Sequence, residues 1–208
     1  MNQTLTETLS LLTERRSVRH YDETFTLSQT EVEELIELTT AAPSAWNLQH
    51  WHFLAFHSEE AKQQLAPIAY NQPAVSSSSV VIAVLGDLQA NRNYNPVYGP
   101  AVEAGGMTED LFDSIKGQVE GAYQSEAYAR DAAMSNASLA AMQLMLVAEA
   151  KGLSTLAMGG FNHQAFTDTF ITDERYVPVM LIAVGKAVEN AKKRPTLRLS
   201  VDQVTTIL

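Results

Sequence analysis

The sequence predicts a fold in which helices cover both faces of a central β-sheet. Two apolar runs, residues 80–85 and 179–184, lack polar alternation, which is typical of central strands buried on both sides. Ala and Met dominate residues 126–150 and Gly152 follows as a C-terminal stop, which predicts a long helix. From 132 to 148 this helix is apolar almost all round, so we expect it at the centre of the fold or in a subunit interface.

The first elements of the chain are predicted to be helices. Leu5, Leu9 and Leu12 have the spacing of one helix face, which predicts an amphipathic helix at the N-terminus. The segment Ser28-Gln29-Thr30-Glu31 is a capping box and begins a second helix. That helix ends before Pro43, because a proline disfavours helical geometry at the residue that precedes it.

Shorter elements are predicted between these helices and the first central strand. Residues 51–56 are aromatic and apolar and predict a strand, and Ser58 caps a brief helix that ends near Leu65. Residues 90–107 are rich in Asn, Tyr, Pro and Gly, and we expect them to form an excursion from the core. The chain has no internal repeat and no evident linker, so we expect a single domain over residues 1–208.

Composition narrows the classes of partner. The formal net charge is -10, so nucleic acid and anionic lipid repel the chain, and a small soluble ligand or a protein is the expected partner. The absence of cysteine excludes disulfides, thiolate metal sites and cysteine nucleophiles. No run approaches the ~18 apolar residues of a membrane span. Nor does the N-terminus have the apolar run of a signal peptide, and we expect a cytoplasmic protein.

The positive charge of this acidic chain is concentrated near its two ends. Arg15, Arg16 and Arg19 lie together around Ser17, whereas residues 20–185 hold only six basic residues against 20 acidic ones. Five further basic residues lie near the C-terminus: Lys186, Lys192, Lys193, Arg194 and Arg198. Two basic ends suggest convergence on one compact anion, and a phosphate suits the planar donor fork of arginine. The alternative for an arginine pair is a solvated helix end.

Three further stretches place amides or glycines at the boundaries of predicted elements. They are Pro43-Ser44-Ala45-Trp46-Asn47-Leu48-Gln49-His50-Trp51, Tyr70-Asn71-Gln72-Pro73 and Met158-Gly159-Gly160-Phe161. Amide side chains both donate and accept, as the edge of a planar heterocycle with carbonyls and ring nitrogens requires. Paired glycines allow the backbone to approach a flat ring. Each stretch alone is also consistent with an ordinary turn.

Taken in order, these motifs resemble the nitroreductase family of flavin enzymes over nearly the whole chain. The stretch from Pro43 to Trp51 is similar to a branch of NAD(P)H nitroreductases in which His50 replaces a more usual proline. The resemblance implies an α+β fold, with a central mixed β-sheet flanked by helices. It also implies an intertwined homodimer that holds one FMN per active site at the subunit interface.

The resemblance implies a role for each motif. The ribityl phosphate would be held by five residues: Arg15, Arg16, Ser17, Arg19 and Arg198. The isoalloxazine and ribityl groups would be lined from the partner subunit by Pro43, Ser44, Ala45, Asn47 and Gln49. Asn71 would bond the pyrimidine edge, and Gly159 and Gly160 would lie against the ring with a backbone N–H near the nitrogen that accepts hydride.

The activity implied by the resemblance is that of a flavoprotein reductase. NAD(P)H would bind transiently and pass a hydride to the flavin, and a nitroaromatic, quinone or similar electron-poor acceptor would then be reduced. No side chain is expected to be catalytic, since FMN carries the chemistry. Three departures from the family pattern bear on flavin potential and substrate choice: Ala74 in place of Lys or Gln, Gly159 in place of a Glu found in some members, and Thr196 in place of Lys.

Other functions fit the sequence less well. His50, His52 and His57 are close together, but no Asp or Glu completes a metal-binding set at a suitable spacing, and we expect no metal. The chain has neither the Gly-x-Ser-x-Gly turn of a hydrolase nor the Gly-x-Gly-x-x-Gly turn of a dinucleotide-binding fold. A non-enzymatic FMN-binding sensor or interaction protein stays open as the alternative.

Overall fold

The computed structural model describes residues 3–189 and 196–208. Within them the helices are α1 (Gln3–Glu14), α2 (Gln29–Thr39), α3 (Glu59–Ile68), α4 (Pro73–Ser77), α5 (Tyr94–Glu103), α6 (Glu109–Ala122), α7 (Glu126–Ala150), α8 (His163–Phe170) and α9 (Val201–Val204). The strands are β1 (Trp51–Phe56), β2 (Val80–Asp87), β3 (Ser154–Met158) and β4 (Tyr176–Gly185). In the part of the chain so described, no helix is both long and apolar enough to cross a membrane.

The four strands form one sheet in the order β1-β2-β4-β3, and all three ladders are antiparallel. Among the described residues, the one parallel pairing is an isolated bridge between Ser17 and Thr155. The α+β fold is therefore confirmed, whereas the predicted mixed character of the sheet is limited to that bridge.

Alternate residues of the central strands support two cores. Val80, Ile82 and Val84 pack with α2 and α7 on one face of the sheet. Val81, Ala83 and Leu85 pack with α3, α4 and α8 on the other. The prediction that β2 is covered on both faces is confirmed, because each residue of this strand is buried.

Several predicted boundaries agree with the structure. Both hydrogen bonds of the α2 capping box are formed: the Ser28 side chain accepts from the backbone N–H of Glu31, and the Glu31 side chain accepts from the backbone N–H of Ser28. Gly152 follows α7 with a φ of 72°, the left-handed conformation that glycine adopts most readily. Residues 90–107 differ from the expectation. They contain a 3₁₀ turn and α5, and Ala90 and Tyr94 are buried with Val119 of α6 in a third, smaller core.

Close packing of α7 on the sheet depends on a glycine. A Cβ at Gly86 would lie 3.0 Å from the backbone carbonyl carbon and oxygen of Ala133, which is tighter than nine in ten real Cβ contacts. We expect Gly86→Val to destabilise the fold by about 1–3 kcal/mol, because helix backbone cannot move aside as a flexible side chain can. The control is Gly117→Ala in α6, where a Cβ meets nothing within 4 Å, and which should stabilise by about 0.5–1 kcal/mol. Urea denaturation measures both changes, and equal stabilities would contradict the packing argument.

Candidate functional site

The arginine motif is tied to the edge of the sheet directly after α1. Ser17 pairs with Thr155 of β3, and the N–H of Val18 donates to the Thr155 carbonyl at 2.9 Å. Arg16 is partly fixed, because its Nη1 donates to the carbonyls of Thr13 at 2.6 Å and Arg15 at 2.9 Å. No carboxylate of the described residues forms an ion pair with Arg15, Arg16 or Arg19. Their charge is therefore available to an anion.

Strand β3 leads from the arginine motif to the glycine pair. Gly159 lies four residues after Thr155, which corresponds to about 13 Å along an extended strand. Gly159 and Gly160 are both exposed, and a Cβ at either position would meet nothing within 4 Å. Packing within the chain therefore does not require glycine here, and the space over this backbone is open to a ligand.

The segment around Asn71 lies beside the glycine pair. The Nε2 of Gln72 donates to the carbonyl of Gly160 at 2.9 Å, and the N–H of Asn162 donates to the carbonyl of Ile68 at 2.9 Å. The structure therefore brings Asn71, Gly159 and Gly160 to the same end of β3. We call these three residues and Arg15, Arg16, Ser17 and Arg19 the β3 half-site.

The turn from Pro43 to Gln49 is held by hydrogen bonds from two sides. The Oδ1 of Asn136, which is buried in α7, accepts from the backbone N–H of Ala45 at 2.8 Å, and the Oγ of Ser44 accepts from that of Gln49 at 2.9 Å. On the other side, the hydroxyl of Tyr98 in α5 donates to the carbonyl of Trp46 at 3.0 Å. We call residues 43–49 the turn half-site.

Backbone strain coincides with both half-sites. The non-glycine residues with positive φ in the described chain are Trp46, Asn47, Gln49, Tyr70 and Asn71, with φ between 47° and 55°. Asparagine tolerates this region, but a bulky residue there is uncommon and costs about 1–3 kcal/mol. Such strain tends to be concentrated where function requires a fixed geometry. Here it falls only on stretches that the sequence had already indicated.

A cavity of about 540 Å³ opens beside the turn half-site. Its wall includes Asn47, Gln49 and Trp51 together with the ion pair between Asp87 and Arg175. Asp87 is 1% exposed and accepts from Arg175 Nε at 2.7 Å and Nη2 at 2.5 Å. The size suits a small organic molecule.

The structure does not join the two half-sites within one chain. No hydrogen bond or ion pair among the described residues connects the turn half-site with the β3 half-site, or either of them with Arg198. Arg198 is exposed, and within the described residues its Nη1 donates to the neighbouring Leu197 carbonyl at 3.1 Å. Lys192, Lys193 and Arg194 lie outside the described residues. Convergence of the two basic ends thus stays a prediction.

The three clustered histidines have separate environments. His50 is fully buried and stacks on Tyr123, His52 is exposed and stacks on Tyr176, and the Nε2 of His57 bonds the Leu27 carbonyl at 2.6 Å. Across residues 3–189 and 196–208 there is no group of three His, Cys, Asp or Glu side chains suited to a metal ion.

His50 makes stability depend on pH. Neither ring nitrogen has a hydrogen-bond partner in the described chain. Burial lowers the pKa of His50 from 6.5 to about 4, although the negative charge of Asp87 acts to raise it. The unfolded chain takes up this proton near pH 6.5, whereas the folded chain stays neutral until about pH 4. The part of the unfolding free energy that depends on His50 being neutral is therefore fully present above pH 6.5 and is lost as the pH falls towards 4.

We expect the wild type to lose on the order of 1–2 kcal/mol of unfolding free energy through His50 between pH 7.5 and 5. His50→Phe retains a ring against Tyr123 and removes the titrating group, so its stability should fall less over the same pH range. The control is His52→Gln, which should retain the wild-type dependence because this side chain is exposed. Denaturant midpoints at both pH values provide the test, and parallel curves for all three proteins would contradict it.

Several residues that support the half-sites or line the cavity beside them were not among the predicted site residues. Gln72 stands next to Asn71 and could have been included on that ground. Asn136 interrupts an apolar helix surface, which is a signal for a buried hydrogen bond. Asp87 and Arg175 are 88 residues apart, and nothing in a single sequence indicates that they pair.

The chain is similar to known proteins over most of its length. The nitroreductase family model matches residues 12–186. YodC of Bacillus subtilis, a provisionally assigned NAD(P)H nitroreductase, is 53% identical over 196 residues, which are 94% of this chain and 97% of YodC. The CLA biosynthesis enone reductase of Lactiplantibacillus plantarum is 35% identical over 180 residues, covering 84% of this chain and 83% of that enzyme.

A solved structure has the same fold. It is a provisionally assigned nitroreductase from Exiguobacterium sibiricum in complex with FMN, with a TM-score of 0.89 and 38% identity over 96% of both chains. The family match covers every residue of the two half-sites, and the relatives named here align over 83% or more of their lengths. The chain therefore belongs to the nitroreductase family.

Proposed function

We propose that the protein is an FMN-dependent NAD(P)H oxidoreductase of the nitroreductase and quinone reductase type. It transfers hydride from the nicotinamide to the flavin and on to nitroaromatics, quinones or similar electron-poor acceptors. The observation that carries the proposal is the β3 half-site, in which three arginines with no carboxylate partner among the described residues lie at one end of a strand and an open glycine pair lies at the other.

The residues of the β3 half-site suit the two ends of FMN. Arg15, Arg16 and Arg19 supply positive charge and planar donors for a phosphate dianion, and Ser17 adds a hydroxyl. At the far end, Asn71 offers an amide that both donates and accepts. Gly159 and Gly160 leave room for a flat ring against the backbone. When bound, FMN would supply the ring that accepts hydride from NAD(P)H and passes reducing equivalents on to the acceptor.

In this proposal, the second subunit of a homodimer supplies Pro43, Ser44, Ala45, Asn47 and Gln49, which line the flavin of the partner. Arg198 joins the N-terminal arginines and Ser17 at the phosphate. Exposed apolar side chains support a dimer, since Leu139 and Met142 of α7 are 47% and 39% exposed, and Leu199 and Val201 are 67% and 73% exposed. Such surfaces are typical of an interface. We further propose a single domain over residues 1–208 and a cytoplasmic location, with neither nucleic acid nor membrane as partner.

The first test is an absorbance spectrum of the purified protein, followed by anaerobic addition of NADPH and then NADH. We expect flavin bands near ~450 nm that bleach rapidly, and recovery of the bands when a quinone or nitro compound is added. Protein that takes up no FMN would overturn the cofactor. Bound flavin that neither nicotinamide bleaches would favour the sensor or interaction role.

The C-terminal tail provides a test of the dimer. We expect Leu199→Asp with Val201→Asp to raise the dimer dissociation constant by about 100-fold or more, because each buried aliphatic side chain contributes roughly 1.5–3 kcal/mol. Leu111→Asp is the control, since Leu111 of α6 is 49% exposed and lies outside the proposed interface. Sedimentation over a range of concentrations measures the dissociation constant. A tail variant that dimerises as tightly as the control would contradict the role of the tail.

A further inference from the structure

We propose that the cavity beside the turn half-site binds the electron acceptor, and that Arg175 is its specificity-determining residue, donating to a carbonyl or nitro oxygen of a planar aromatic compound. This inference rests on the proposed function, because an acceptor is bound only by a reductase. It adds a subsite and a residue that the family motifs do not contain.

The guanidinium of Arg175 is held rigidly. Its Nε and Nη2 bind both carboxylate oxygens of Asp87, and Nη2 also donates to the Oδ1 of Asn93 at 2.7 Å. Asp87 is fixed in turn by the N–H of Gln89 at 2.9 Å. Such a bidentate pair holds the guanidinium plane in one orientation.

Arg175 retains a donor nitrogen after these bonds are made. Arginine has five N–H groups, and Nη1 of Arg175 makes no hydrogen bond to any described residue. Arg175 borders the cavity, and in this proposal the remaining donor binds an oxygen of the ligand. A preorganised donor of this kind binds an oxygen without an ordering cost at the time of binding.

The other walls of the cavity combine aromatic, apolar and amide surface. Trp51 and Tyr176 provide aromatic surface, Pro96 and Val97 provide apolar surface, and Asn47 and Gln49 provide amides. The Arg175–Asp87 pair is neutral as a whole in a chain of net charge -10, so nothing here attracts an anion strongly. A flat, uncharged ring that carries oxygen acceptors, such as a quinone or nitroarene, suits this lining best.

The main test separates the two half-reactions in the FMN-loaded enzyme. The double variant Asp87→Asn with Arg175→Gln keeps a neutral hydrogen-bonding pair and removes the guanidinium. We expect its second-order rate constant for reoxidation by 2-methyl-1,4-naphthoquinone to fall about 10-fold or more, the equivalent of one charge-assisted hydrogen bond. Bleaching by NADPH should stay within about 2-fold of wild type. Arg92→Gln, an exposed arginine in the neighbouring 3₁₀ turn, should leave both rates unchanged.

A binding measurement keeps this inference separate from the proposed function. The aromatic ketone 1-tetralone is not expected to be reduced, and calorimetry on protein with and without FMN measures its affinity. We expect about 10-fold weaker binding to the double variant than to the wild type, and an intermediate loss for Arg175→Lys, which keeps the charge and loses the fork. Equal tetralone affinity in all variants, or a loss confined to the NADPH step, would overturn the subsite. A wild type that binds tetralone but fails to oxidise NAD(P)H would overturn only the proposed function.

Discussion

Replacing Arg15 and Arg19 together by Gln is expected to weaken FMN binding by about 100-fold or more. Each charge-assisted hydrogen bond to the phosphate contributes roughly 1.5–3 kcal/mol, and both arginines lack a carboxylate partner among the described residues that could compensate. Arg16 is left in place because its bonds to the carbonyls of Thr13 and Arg15 support the local backbone.

The measurement is a titration of flavin-free protein with FMN and, in parallel, with riboflavin. Riboflavin lacks the phosphate, so its affinity should be nearly the same in the variant and the wild type. Arg130→Gln serves as the control, because this arginine is exposed on α7 and is not part of either half-site. Equal losses for the two flavins would show that the arginines act on the ring site or on the fold. Unchanged FMN affinity would contradict the phosphate assignment.

The second large effect is expected at the ion pair between Asp87 and Arg175. We expect Arg175→Met to lower the free energy of unfolding by about 3–5 kcal/mol, because it leaves a buried carboxylate without its cation. Asp87 would then retain only the N–H of Gln89 at 2.9 Å and the amide of Asn93 at 3.4 Å. The double variant Asp87→Asn with Arg175→Gln should recover most of the loss, since no unpaired charge remains.

Urea denaturation of the purified variants at pH 7.5 measures these differences. Lys151→Met is a matched control, because Lys151 pairs with Glu34 at 2.9 Å where the two side chains are 32% and 50% exposed. Exposed pairs contribute at most about 1 kcal/mol. A loss in Arg175→Met no larger than in the control would contradict a stabilising role for the buried pair.

Much of the fold could be predicted because its signals are local. The Ser28 capping box, the stop at Gly152 and the apolar runs of β2 and β4 each depend on a few neighbouring residues. Strand direction could not be predicted, since an apolar run shows that a strand is buried on both faces and not how it pairs. Helix α5 was missed because Pro96 and Pro100 favour a loop, whereas packing of Tyr94 against Tyr98 and Phe112 stabilises the helix.

The candidate site, like the fold, could be predicted from the sequence only in part. Its residues could be indicated from order and spacing, but the spatial relation between them could not. The hydrogen bond from Gln72 to Gly160 and the anchoring of Ala45 by Asn136 join residues 88 and 91 positions apart. Left-handed backbone at Trp46, Gln49 and Tyr70 was equally hidden, because none of these residue types favours that conformation.

The left-handed residues also have an evolutionary consequence. At Gln49 and Tyr70, a change to glycine would relieve steric strain in the folded chain, so single substitutions that raise thermal stability are accessible there, whereas at Trp46 the loss of packing against Tyr128 would offset the gain. Selection for heat resistance alone would therefore tend to replace Gln49 and Tyr70 by glycine. Their retention in a protein adapted to high temperature would indicate that function, and not folding, maintains them.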